Sequence, residues 1–121
     1  MNNLLDWLGI IGVESIQQIV AGVVRLLLAA LCGGLIGIER GRRHRPAGLR
    51  THMVVCIASA LMMVTNEQIV LSGGGTDLTR MGAQVISGIG FLGAGTILID
   101  RQNRVRGLTT AAGLWASACI G

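Results

Sequence analysis

The side chains most able to do chemistry crowd into GIERGRRHRPAGLRTH (37–52), where Arg40, Arg42, Arg43, Arg45 and Arg50 stand with His44 and His52. A basic run of this kind suits nucleic acid, a nuclear address or a membrane surface. Arg101, Arg104 and Arg106 form a second cluster, so eight of the ten basic residues, all arginine, fall in two short windows. Nucleic-acid binding also calls for aromatic stacking platforms, and the chain offers only Trp7, Phe91 and Trp115. No nucleic-acid partner is expected. A histidine near a membrane interface could sense pH, but both histidines read as solvated loop residues.

GIGFLG (88–93) has the spacing of a dinucleotide fingerprint. That motif needs a strand before it, a helix after it and an acid about 20 positions on, whereas here it lies inside an apolar run. Cys32, Cys56 and Cys119 are odd in number, far apart and set in apolar runs. They read as small buried hydrophobes, with neither disulfide nor zinc spacing. No Ser-His-Asp, Cys-His or paired-carboxylate arrangement is suggested, so no enzyme, cofactor or metal site is expected.

The elements that carry these residues follow from composition. The 121 residues are 51% hydrophobic and 13% charged, with a net charge of +4 and a mean hydropathy of +0.65. These values point to one membrane domain. Spans are expected at about 18–38 and 81–99, each close to the ~20 residues that cross the hydrocarbon core, and at about 47–71, whose twelve-residue apolar centre, Met53 to Val64, is too short alone and needs TNEQ (65–68) to continue the helix. A fourth begins near Gly107; its fifteen residues to Gly121 reach roughly 22 Å at 1.5 Å per residue. It is expected to be truncated or completed by a partner. Leu4, Trp7, Leu8 and Ile11 recur at helical spacing, which suggests an interfacial helix within residues 1–17 ahead of a transmembrane domain over 18–121. The expectation is therefore an all-α, polytopic membrane helix bundle of about four transmembrane helices plus that short helix.

Arginine placement orients the bundle, because cytoplasmic loops carry the excess of Lys and Arg. Loops 39–50 and 100–106 are expected inside, the N-terminus and loop 72–80 outside, with anionic headgroups near the basic loops. The two hairpins echo each other: Glu39-Arg40, a basic turn and Gly48-Leu49-Arg50-Thr51 match Asp100-Arg101, a basic turn and Gly107-Leu108-Thr109-Thr110. Ala29, Gly33, Gly37 and Gly41 lie on one helical row, and Gly93 and Gly95 give the third span a similar face for close packing. Polar residues within spans tend to face the bundle interior. By helical projection His52, Cys56, Ser59, Met63 and Asn66 share one face, Gln84, Ser87, Gly88 and Gly95 another, and Thr110, Gly113 and Ser117 a third. Arg25 is expected to reach outward or meet Glu67 or Asp77, and Glu39 to meet Arg50 or Arg106.

RLLLAALCGGLIGIER (25–40), PAGLRTH (46–52), AQVISGIGFLGAGTIL (83–98) and VRGLTTAAGLWASACIG (105–121) together resemble the MgtC/SapB family of bacterial inner-membrane proteins. The resemblance implies a small, non-enzymatic membrane protein linked to low-magnesium adaptation and, in pathogens, to virulence. It also implies a regulator of other membrane machines, such as the F-type ATP synthase or a magnesium-transporting ATPase, with a homo-oligomer as a further option. A transporter or channel for an ion or small solute along the polar faces is the alternative. Complete members finish the fourth helix, add another and often carry a cytoplasmic domain. The motif positions are Arg25, Glu39, Arg50, Thr51, Gln84, Gly88, Arg106, Thr109 and Thr110; His52 joins them as a candidate from its place beside the basic turn.

Overall fold

The computed structural model describes residues 13–75, 77–99 and 101–121. Among them are four helices, α1 (Val13–Arg42), α2 (Leu49–Leu71), α3 (Leu78–Thr96) and α4 (Leu108–Ile120), with a two-stranded hairpin, β1 (Leu98–Ile99) and β2 (Val105–Arg106), between α3 and α4. The first twelve residues of the expected interfacial segment lie outside the described residues. α1 and α2 are each long and apolar enough to cross a bilayer. Their outer faces are rich in exposed Leu, Ile and Val, including Leu27, Leu31, Leu35, Val54 and Leu61. A lipid surround accommodates such faces where water would not, and the protein is a membrane protein.

α2 is the central helix and α1 packs chiefly against it. Each interior glycine costs a helix about 1 kcal/mol against alanine, so the glycines of α1 need a packing return. Gly33 supplies one: a Cβ there would come 2.6 Å from the carbonyl oxygen of His52 and 2.9 Å from Met53 Cα. Gly37 touches the backbone of Gly48 and Leu49 in the same way, and Ala29 is buried one turn earlier. The neighbour of this row is thus α2 of the same chain. Gly41, the last member, has nothing within 4 Å.

Paired backbone bonds close both ends of the α1–α2 hairpin. After α1, His44 N–H donates to Gly41 O at 3.1 Å and Arg45 N–H to Arg40 O at 3.2 Å, with His44 at φ 52. This is a Schellman cap with histidine in the left-handed position that glycine usually fills, and Pro46 follows. After α2, Gly73 at φ 85 takes that position, with Gly73 N–H on Val70 O and Gly74 N–H on Ile69 O.

The third span departs from expectation. α3 starts three residues earlier than the expected Met81 and stops at Thr96, whose hydroxyl donates to Gly93 O. Ile97 is extended, and the chain pairs Leu98 with Arg106 and Ile99 with Val105. A short β-branched run reads the same as helix or strand by periodicity, and the return depends on Asn103 at φ 57 and Gly107 at φ 90. A side chain on Gly107 would run into the Thr96 carbonyl, so only glycine fits there.

The hairpin echo has a structural counterpart. Gly48 and Gly107 both cap their helices without a side-chain hydrogen bond. Four residues on, His52 faces Gly33 and Ala111 faces Gly93, so each hairpin crosses at a glycine. Ile89, Leu114, Ala118 and Ala47, with Val55 and Val85 against them, fill the space among α2, α3 and α4.

Candidate functional site

Among the described residues the largest fully buried side chains are His52, Asn66, Thr110, Cys56 and Ser117. A bundle whose deepest residues are polar rather than Leu or Phe joins its helices by hydrogen bonds as well as by packing. His52, Cys56, Ser59 and Asn66 recur at spacings of four, three and seven, which keeps them on one face of α2. Cys56 Sγ donates to Ser117 O at 3.1 Å and Ser59 Oγ to Ala118 O at 2.8 Å, tying α2 to the last turn of α4. Ser117 Oγ donates to Gly113 O. Asn66 Nδ2 donates to Leu78 O at 2.7 Å, fixing the start of α3 on α2.

His52 is fully buried, which corrects its reading as a solvated loop residue; His44 is the exposed one. Gly33 and Gly37 bring α1 close to the first turn of α2, and of that turn His52 alone is buried, its ring beside Gly113 of α4. Its Nδ1 lies 2.9 Å from Gly48 O and donates to that carbonyl. Nε2 has no hydrogen-bond partner. A Cβ on Gly113 would stand 3.3 Å from Nε2 and 3.4 Å from a terminal nitrogen of Arg40, so the absence of a side chain at Gly113 lets the two groups face each other.

Charged groups sit at the two ends of the helices. Arg25 of α1 pairs with Glu67 of α2, one of its expected partners. Beside the pair a cavity of about 500 Å³ opens among α1, α2 and the end of α4, with Cys32, Ala60 and Ile120 on its walls. Glu39 pairs with Arg43 at 2.6 Å and not with Arg50 or Arg106. The reason is local: Arg43 stands four residues after Glu39, one helical turn on, whereas Arg50 is exposed on the next helix. Asp77 caps α3 by accepting from the N–H and hydroxyl of Thr79, and these bonds hold its carboxyl below the usual carboxylate range.

The motif positions do not form one cluster. Thr110 is buried and Thr109 and Arg106 are exposed around the start of α4, while Arg50 and Thr51 are exposed on α2. Gln84, Ser87 and Gly88 face outward, which corrects the expectation that this stripe looks into the bundle. α3 uses Val85, Ile89 and Gly93 instead, a row at spacing four whose shape fits Ala111, Leu114 and Ala118 of α4. Gly93 is a packing residue; Gly95, expected beside it, has nothing within 4 Å. The meeting of Arg40 and His52 over Gly113 went unseen in the sequence. Its one signal was that Gly113 shares a helical face with Thr110 and Ser117.

Comparison with known proteins gives a consistent picture. The sequence pattern of the MgtC family matches residues 26–121. Among the relatives is the Escherichia coli K12 protein named "Putative magnesium transporter YhiD", 47% identical over 104 residues, which cover 82% of this chain and 48% of that one. The MgtC proteins of Brucella abortus strain 2308 and Salmonella typhimurium strain 14028s are 53% and 48% identical, over 77% and 82% of this chain and 37% and 41% of their own. The chain thus spans less than half the length of these relatives. No solved structure matches it.

Proposed function

This chain belongs to the MgtC family, and from that premise we propose that it is a non-enzymatic protein of magnesium homeostasis in the bacterial inner membrane. In this reading it acts as a regulator by docking on another membrane machine, an F-type ATP synthase or a magnesium-transporting ATPase. The link to magnesium rests on the family resemblance and on the name of the YhiD relative.

The choice of a regulator over a transporter rests on one observation, the engagement of the carboxylates. Magnesium requires hard oxygen ligands in near-octahedral geometry, usually including one or two carboxylates, and gives up its water reluctantly. Among the described residues, Glu67 is paired with Arg25, Glu39 with Arg43, and Asp77 caps α3. Glu39 and Glu67 lie toward opposite ends of the α1–α2 pair, 28 residues apart in chain number, so no single acid serves both sides. Within the bundle Cys56, Ser59 and Asn66 join helix to helix. A regulator needs a contact face, and the outward Gln84, Ser87 and Gly88 of α3 provide one at a depth where polar side chains seek protein. The arginine loops face the cytoplasm in this arrangement and the N-terminus lies outside.

The test is co-reconstitution with each ATPase in turn, reading its rate of ATP hydrolysis. The reading expects a change in rate with one of them that is lost on Gln84→Leu with Ser87→Leu. Rates that match those of liposomes holding each ATPase without this protein would overturn it.

A further inference from the structure

Two adjoining cavities open where α1 ends and α2 and α4 begin. One, of about 350 Å³, is walled by Ile36, Glu39, Arg40, Arg43, Arg45 and Thr109. The other, of about 610 Å³, has Arg45, Arg106, Thr109 and the buried Thr110 on its walls. Arg45 and Thr109 belong to both, so the two form one crevice with Arg45 at its waist. The Schellman cap after α1 builds this arrangement, because the bonds from His44 and Arg45 back to Gly41 and Arg40 fold the arginines over the helix end.

Three features make the crevice a receptor for a phosphate group. Among the described residues Arg40 and Arg45 are in no ion pair, and the carboxylate in the wall, Glu39, is held by Arg43. Guanidinium groups bind phosphate oxygens bidentately, which lysine cannot do. Next, Gly107 stands at the N-cap of α4, and its lack of a side chain leaves the first-turn N–H groups without a side-chain cap beside Thr109; these groups and the helix dipole favour an anion. Finally, the crevice lies between Arg42 and Leu49, where the two long apolar helices end. That is the level of lipid headgroups for a helix pair spanning a bilayer.

We propose that the crevice formed by Arg40, Arg45, Thr109 and the start of α4 binds one phosphate group, from an anionic lipid headgroup or from free phosphate. Binding joins the α1–α2 turn to α4, because Arg45 and Thr109 then share a ligand. The site is independent of the regulator reading and holds whichever face of the membrane the loops occupy.

Native mass spectrometry of the purified protein in neutral detergent tests the proposal, with phosphatidylglycerol and phosphatidylcholine of equal chain length added in parallel. One phosphatidylglycerol is expected to remain bound in preference to phosphatidylcholine. Arg45→Gln is expected to weaken that preference about tenfold, the loss of one charge-assisted bidentate contact. Arg50→Gln, an exposed arginine outside the crevice, should leave it unchanged. Circular dichroism of each variant checks the fold, and should Arg45→Gln unfold, Arg45→Lys takes its place, with an intermediate loss expected. Displacement of the lipid by millimolar inorganic phosphate would identify free phosphate as a ligand, and its persistence the headgroup. Equal retention of the two lipids with no binding of inorganic phosphate would overturn the proposal. So would an Arg50→Gln effect as large as that of Arg45→Gln.

Discussion

Replacing Gly33 with alanine adds one methyl group at the closest crossing of α1 and α2. It would lie 2.6 Å from His52 O, 2.9 Å from Met53 Cα and 3.0 Å from Cys56 Sγ, and ordinary contact begins at 3.4 Å. The helices must therefore part by about 0.8 Å, the difference between 3.4 and 2.6 Å. Two of the three neighbours are backbone atoms and cannot rotate away. Forcing an extra carbon into a packed site costs about 1–3 kcal/mol, and a backbone clash belongs at the upper end. Alanine returns about 1 kcal/mol in helix propensity, so the net loss is about 1–2 kcal/mol. Gly41→Ala, four residues beyond Gly37 on the same row, meets nothing within 4 Å and should gain up to about 1 kcal/mol from propensity alone. The two substitutions thus move stability in opposite directions, which thermal and denaturant unfolding in detergent would read. A Gly33→Ala protein stabilised as much as Gly41→Ala would refute the close crossing.

Other outcomes follow from the same geometry. His44 holds a left-handed backbone position at φ 52, so His44→Gly should stabilise the cap by up to about 1 kcal/mol in the same unfolding assay. Glu67→Gln removes the partner of Arg25 and should cost about 1 kcal/mol, since both side chains are partly exposed. Arg25→Leu with Glu67→Leu should restore or exceed wild-type stability, because an apolar pair replaces two charges. Asp77 has its pKa lowered by the N–H and hydroxyl of Thr79. Its cap is therefore fully present above the usual carboxylate range and is lost as pH falls below that range through the folded-state value. The Thr79 amide shift in an NMR titration should follow this, and Asp77→Asn should abolish the dependence.

Legibility in the sequence varied with the kind of signal. Helical spacing placed Cys56, Ser59 and Asn66 on one buried face of α2, but Met63, expected on the same face, is exposed, and His52, which shares that face, also reads in the sequence as a solvated loop residue. The row of Ala29, Gly33 and Gly37 was clear as a packing face, while Gly41, read as its last member, packs against nothing. Failures came where competing tertiary contacts decide. Gln84 and Ser87 were expected inside, but Val85, Ile89 and Gly93 offered α4 a better fit and turned the polar stripe outward. The β1–β2 hairpin was hidden because Ile97, Leu98 and Ile99 continue the apolar pattern, while the turn depends on backbone angles at Asn103 and Gly107. Glu39 chose Arg43 over more distant arginines because Arg43 stands four residues on, one helical turn away.

The claim that the protein acts by contact rather than by passing magnesium is tested most directly by sealed liposomes. The purified chain is reconstituted with a magnesium-sensitive dye inside, and magnesium is added outside. The engagement of Glu39, Glu67 and Asp77 with Arg43, Arg25 and Thr79 predicts a dye response no faster than in protein-free liposomes. Saturable influx abolished by Glu39→Gln or Glu67→Gln would contradict it.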